Sequence, residues 1–169
     1  MRLKPALKNR SCRAVIACVG SWLRGDDALG LVVYELLKAS GVECLVECEY
    51  GLENCVHRIK ELSPRLVVIV DAIYSPGLNP GDLVLARAES IVEDYMPHTH
   101  RLSVDVMAHY VRESIGPVDF IVVGLVAEST SLGLGLSRRV RSRLKLLLRV
   151  LEAIYKTCNR SGLTGLHQA

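Results

Sequence analysis

Three carboxylates and two imidazoles stand where they could do chemistry. Asp26 and Asp27 follow an apolar run that ends at Gly20, and Asp71 closes a second apolar run, Arg65–Ile73. His98 and His100 flank Thr99 just ahead of a helical pattern, and in extended backbone the two would share one face. One imidazole beside two carboxylates makes a mixed oxygen and nitrogen donor set, which suits Ni²⁺, Zn²⁺ or Mn²⁺. An open position on such a metal could hold an activated water or a substrate carbonyl. Two carboxylates sharing a proton beside a water would be an aspartic-type alternative. The plain readings are a pair of acids answering a helix dipole, a hydrogen-bond acceptor at a strand end, and surface histidines. Being adjacent, Asp26 and Asp27 cannot face the same way. Asp26 is the better N-cap for a helix whose apolar periodicity begins at Leu29, which leaves Asp27 for the site.

The stretch Val19–Gly30 has the outline of a phosphate-binding turn, but two carboxylates stand where a phosphate would need N–H groups and positive charge. The elements around it explain how distant acids can meet. Arg13–Gly20 reads as a buried first strand, followed by a helix with Leu29, Val32, Val33, Leu36 and Leu37 at helical spacing and Gly41 at its end. Val42–Glu49 alternates like an edge strand, Gly51–Leu62 is helical up to Ser63-Pro64, and Arg65–Ile73 is the strongest buried strand. Asp82–Ala88 returns as an antiparallel strand, Ser103–Ile115 is a helix, Val118–Val126 is another buried strand, and Ser137 caps a last helix to about Cys158. This order predicts a single α/β domain over 1–169, a three-layer α/β/α sandwich, with 1–12 and 159–169 flexible. Right-handed crossovers put the second strand on one side of the first and the third on the other, which creates a switch-point crevice at the carboxyl ends of strands one and three. Asp27 and Asp71, 44 positions apart, are thereby brought to one crevice, with Glu128 at its border.

Composition narrows the partners. The 169 residues are 50% hydrophobic and 23% charged with a net charge of +3, too mild to imply nucleic acid. The basic run Arg138–Lys145 reads as a solvated helix face. The start, Met1–Arg10, is basic with no apolar stretch behind it, and no run approaches a membrane span, so a cytoplasmic protein with no membrane partner is expected. Cys12, Cys18, Cys44, Cys48, Cys55 and Cys158 form no CxxC pair, and their spacings fit no zinc or disulfide framework, so buried thiols are expected. Gln occurs once and Asn is sparse, a thermophilic trait. His57 and His109 lie in helical patterns and read as ordinary residues; Gly133-Leu-Gly135 is half a phosphate loop and weak evidence for one. No serine nucleophile elbow and no activated cysteine is present.

Four segments in order resemble the hydrogenase maturation endopeptidases, which trim the C-terminal extension of nickel-containing hydrogenase large subunits. They are Gly20-Ser-Trp-Leu-Arg-Gly-Asp-Asp-Ala-Leu-Gly30, Val68-Ile-Val-Asp-Ala72, Thr99-His100 before a helix, and Val123–Glu128 followed by Gly133–Ser137. The resemblance covers about Arg13 to Ile154. It implies a five-stranded mixed sheet in the order 2-1-3-5-4 with strand four antiparallel. It puts Asp27, Asp71 and His100 in the positions of the family's metal-binding residues, and the expectation is that Asp27 and Asp71 also assist hydrolysis as catalytic carboxylates. The metal it implies is nickel already installed in the substrate, with zinc or cadmium able to occupy the same place. The implied partner is a hydrogenase large-subunit precursor, met by a monomer. The chain departs from the family at Ser21, usually Asn, and at Ala28, usually Gly. A nucleotide- or flavin-binding module, a nickel-binding accessory protein and a processing protease for another precursor are the competing readings.

Overall fold

The computed structural model describes residues 12–90 and 104–160. Along the chain these form β1 (Ala14–Cys18), α1 (Leu29–Ala39), β2 (Leu45–Glu47), α2 (Val56–Leu62), β3 (Leu66–Ile73), β4 (Leu83–Arg87), α3 (Val104–Ile115), β5 (Asp119–Val126) and α4 (Arg138–Arg160). One sheet runs β2-β1-β3-β5-β4. The pairs β1–β2, β1–β3 and β3–β5 are parallel, and β4 is antiparallel to β5. The expected strand order therefore holds. The strand following β3 in sequence is not its neighbour in space: β5 lies between β3 and β4.

Strand alternation sorts the core into two layers. Val15, Ala17, Val67, Ile69, Phe120 and Val122 pack with Ile59 of α2 and Met107 and Val111 of α3. Ile16, Cys18, Val68, Val70, Val123 and Leu125 pack with Leu29, Val33 and Leu37 of α1 and Val140, Leu147 and Leu151 of α4. Both faces of β1, β3 and β5 are covered, which is why these strands read as unbroken aliphatic runs.

Local chemistry trims several expected boundaries. The strand expected over Val42–Glu49 shrinks to the three residues of β2, at the sheet edge as its alternation suggested. The helix expected over Gly51–Leu62 is a 3-10 turn, Leu52–Asn54, followed by α2. Ser63 takes a left-handed conformation that ends α2 before Pro64. Asp71 does not end its strand: β3 continues through Ile73, with Asp71 in register with Gly124.

The cysteine expectation is overturned. Cys12 pairs with Cys44 and Cys48 with Cys55, with Cα–Cα distances of 5.8 and 4.8 Å. Spacing in sequence did not show these pairs because the fold makes them. Ile16 of β1 donates its N–H to the Cys44 carbonyl, so parallel pairing carries the segment before β2 beside the segment before β1. Cys18 stays a free buried thiol, and burial pushes its ionisation far up. The Cys12–Cys44 bridge closes a separation of 32 residues over an edge strand of three. Replacing both by Ala is expected to cost about 3–4 kcal/mol in guanidinium unfolding. Mass mapping without reductant should recover both bridges.

Candidate functional site

The carboxylates are positioned beyond and along the carboxyl ends of β1 and β3. Past β1, the Val19 N–H still donates to the Val70 carbonyl at 2.9 Å, so the strands remain paired up to the residue before Asp71. The chain then curls. Gly20 donates to the Glu49 carbonyl at 2.6 Å, and Ser21 donates to the Asp27 carbonyl at 2.9 Å. A 3-10 turn, Gly25–Ala28, delivers the chain into α1. A side chain at Gly20 would collide with the Asp27 carbonyl, so that glycine permits the tight return.

Asp27 and Asp71 are both essentially inaccessible, at 1% and 0% exposure. Asp71 accepts a hydrogen bond from the Ala72 N–H at 2.7 Å. Alternation along β3 sets Asp71 with Ile69 and Ile73, on the face covered by α2 and α3. Burying two carboxylates, Asp71 in the sheet and Asp27 in the 3-10 turn beside it, costs free energy that a cation or a shared proton would offset. Among the described residues no group of three metal-ligating side chains forms. His98 and His100 lie outside the described residues. The pair's donor chemistry, two carboxylate groups with no soft ligand, fits a divalent metal that brings further ligands of its own.

Asp26 does not cap α1, and neither that helix nor the preceding turn has a side-chain cap. The 3-10 turn separates Asp26 from the first α1 amides and aims its carboxylate at the β5–α4 connection. There Oδ2 accepts N–H bonds from Glu128 at 2.8 Å and Ser129 at 3.2 Å, and Oδ1 accepts one from Ser137 at 2.6 Å. The backbone adds to the join: Asp26 N–H to Ser129 O, Gly25 N–H to Gly133 O, and Gly133 N–H to Leu23 O. Ser137 caps α4 as expected, its Oγ accepting from Val140 N–H. Asp26 thus ties the loop that carries Asp27 to a segment more than a hundred residues away. No local sequence signal marks this role. Replacing Asp26 with Ala would leave three amides without their acceptor and is expected to cost at least about 3 kcal/mol in urea unfolding. Asp26→Asn, which keeps one oxygen, should cost less.

The remaining candidates separate cleanly. His57 and His109 are exposed on α2 and α3, as expected of ordinary surface residues. Glu128 is half exposed and meets Arg139 at 3.5 Å. The two departures from the family pattern leave the loop intact. The Ser21 backbone closes the turn, and Ala28 sits buried at φ −71°, a conformation that asks for no glycine. Gly124 was missed as a supporting residue. A side chain there would strike the Asp71 carbonyl, and the signal was a lone glycine inside an apolar strand.

No family model matches the chain. It is 33% identical over 109 residues to the hydrogenase 3 maturation protease of Escherichia coli K12, covering 63% of this chain and 69% of that protein. Among solved structures it superposes on the [NiFe] hydrogenase maturation protease HycI from Thermococcus kodakarensis KOD1 with a TM-score of 0.72 and 31% identity, over 86% of this chain and 93% of the other. The endopeptidase HycI from Escherichia coli, solved in solution, matches with a TM-score of 0.69 and 27% identity, over 83% and 89%. These relatives share the five-stranded fold, and the chain belongs to the hydrogenase maturation protease family.

Proposed function

We propose that this chain is an endopeptidase that removes the C-terminal extension of a nickel-containing hydrogenase large-subunit precursor after nickel has been inserted. The observation that carries the reading is the burial of Asp27 and Asp71 at the carboxyl ends of adjoining strands in a member of this family. Such carboxylates suit a metal carried in by the substrate. Asp27, Asp71 and His100 would meet the precursor's nickel; in sequence His100 comes four residues before α3, and α3 covers the face that carries Asp71. Zinc or cadmium would satisfy the same oxygen and nitrogen donors.

In this reading the metal is a checkpoint, and the chain's own carboxylates assist the hydrolysis. One carboxylate takes a proton from the attacking water as its oxygen bonds to the scissile carbonyl carbon. The proton then passes to the departing amine as the C–N bond breaks. The fixed positions of β1 and β3 hold the two acids in place while this happens.

We place the protein in the cytoplasm. Two disulfides in that compartment belong with intracellular proteins of hyperthermophiles, in line with the scarcity of Gln and Asn. The test is incubation of purified precursor, loaded with nickel or free of it. Only the loaded form should lose its extension. Nickel binding that leaves the loaded precursor intact would instead make the chain a carrier, and cleavage of both forms would remove the checkpoint.

A further inference from the structure

The loops that frame the candidate site also build a surface. Arg24 and Gly133 form a parallel bridge, and the Gly133 N–H and C=O are taken by Leu23 O and Gly25 N–H. This brings Leu23 beside Leu132 and Leu134, with Trp22 next in the chain. These four side chains stay 62%, 87%, 84% and 47% exposed. The Asp26 hydrogen bonds hold both loops, so the exposure belongs to a braced structure and not to a loose tip. Apolar side chains gathered on a braced surface mark an interaction site.

The charge beside them says what kind of partner fits. The connection enters α4 directly after Leu136 and Ser137, and α4 begins with Arg138, Arg139 and Arg141, all exposed, with no acid in its first turn. A helix N-terminus is already positive, so stability alone would favour acids there. Glu128 stands at this rim, ion-paired with Arg139. Arg141 donates to the Leu136 carbonyl at 3.0 Å, which ties the basic turn to the apolar loop.

We infer that the surface formed by Trp22, Leu23, Leu132 and Leu134 with Arg138 and Arg139 docks a protein segment that alternates apolar and acidic residues. Resting on the reading above, that segment belongs to the precursor. Docking it here, on the loop that carries Asp27, presents the neighbouring chain to the carboxylates. A protein partner is favoured over a lipid surface because the patch is continuous with the crevice loops.

The test uses the single tryptophan as its reporter. The full chain is titrated with a synthetic Leu- and Asp-rich peptide and with the same peptide carrying Lys for Asp. Trp22 emission should shift blue with the acidic peptide alone, and salt should weaken the effect. Leu132→Asp/Leu134→Asp and, separately, Arg138→Glu should lose the shift. The double variant should raise KM for nickel-loaded precursor about tenfold at unchanged kcat. Four results would overturn the inference: equal binding of both peptides, a stronger response to vesicles of phosphatidylglycerol than to peptide, self-association that buries Trp22, or an unchanged KM in the double variant. Peptide binding without precursor cleavage by the wild type would leave this surface standing and remove the proposed activity. Normal cleavage by both proteins would do the reverse.

Discussion

Asp71→Asn is expected to stop precursor cleavage, lowering turnover by about a hundredfold to ten-thousandfold, while the protein stays folded. The amide keeps the size of the carboxylate and can keep an oxygen for the Ala72 N–H. It cannot take a proton from water, and it is a far poorer partner for a cation. Stability should hold or rise, because removing charge from a fully buried site relieves desolvation. That separation is the point of the experiment: thermal unfolding by circular dichroism stays near wild type while loss of the extension, read on a denaturing gel, disappears. Asp27→Asn should behave in the same way. Cleavage at the wild-type rate by both variants would remove the two carboxylates from the chemistry.

Gly30→Ala is expected to have a large stability effect for a single added methyl. Gly30 is the second residue of α1, and a Cβ there would fall on the Val19 and Val70 carbonyl oxygens. Those atoms belong to the β1–β3 pairing and cannot move aside. The helix would have to lift from both strands, carrying Ala28 and Asp27 with it. The expected cost is about 3 kcal/mol, seen as a fall of roughly 6–12 °C in the melting midpoint. Gly41→Ala is the control. Gly41 ends α1 at φ +83° with open space around it, so only the backbone preference is lost, about 1 kcal/mol. If the two substitutions cost the same, the close approach at Gly30 is not what sets the spacing of helix and sheet.

What could be read before any fold was known follows physical range. Aliphatic runs such as Leu66–Val70 and Phe120–Val123 announce strands covered on both faces, and the crossover rule places β2 and β3 on opposite sides of β1. These are local patterns plus chirality. The role of Asp26 could not be read this way, because its acceptor atoms are satisfied by residues 128, 129 and 137 and nothing in its own turn announces them. The Cys12–Cys44 bridge was illegible for the same reason: Cys44 meets Cys12 only once β2 lies beside β1. The expected bounds Arg65–Ile73 are nearly those of β3, whose last residues pair in register with Gly124–Val126. The family resemblance added the strand order, which periodicity leaves open.

The place of β5 in the sheet has a consequence for a chain made from its N-terminus. β3 and β4 are synthesised in succession, yet the strand that separates them comes last. Until residues 119–126 arrive, the β5 edge of β3 is open and Asp71 has no strand closing it from water on that side. Until Ser137 follows, the Asp26 carboxylate lacks an N–H donor that holds the Asp27 loop. The sheet around Asp71 and the tie that holds the Asp27 loop therefore both wait for segments that follow β4 in the chain.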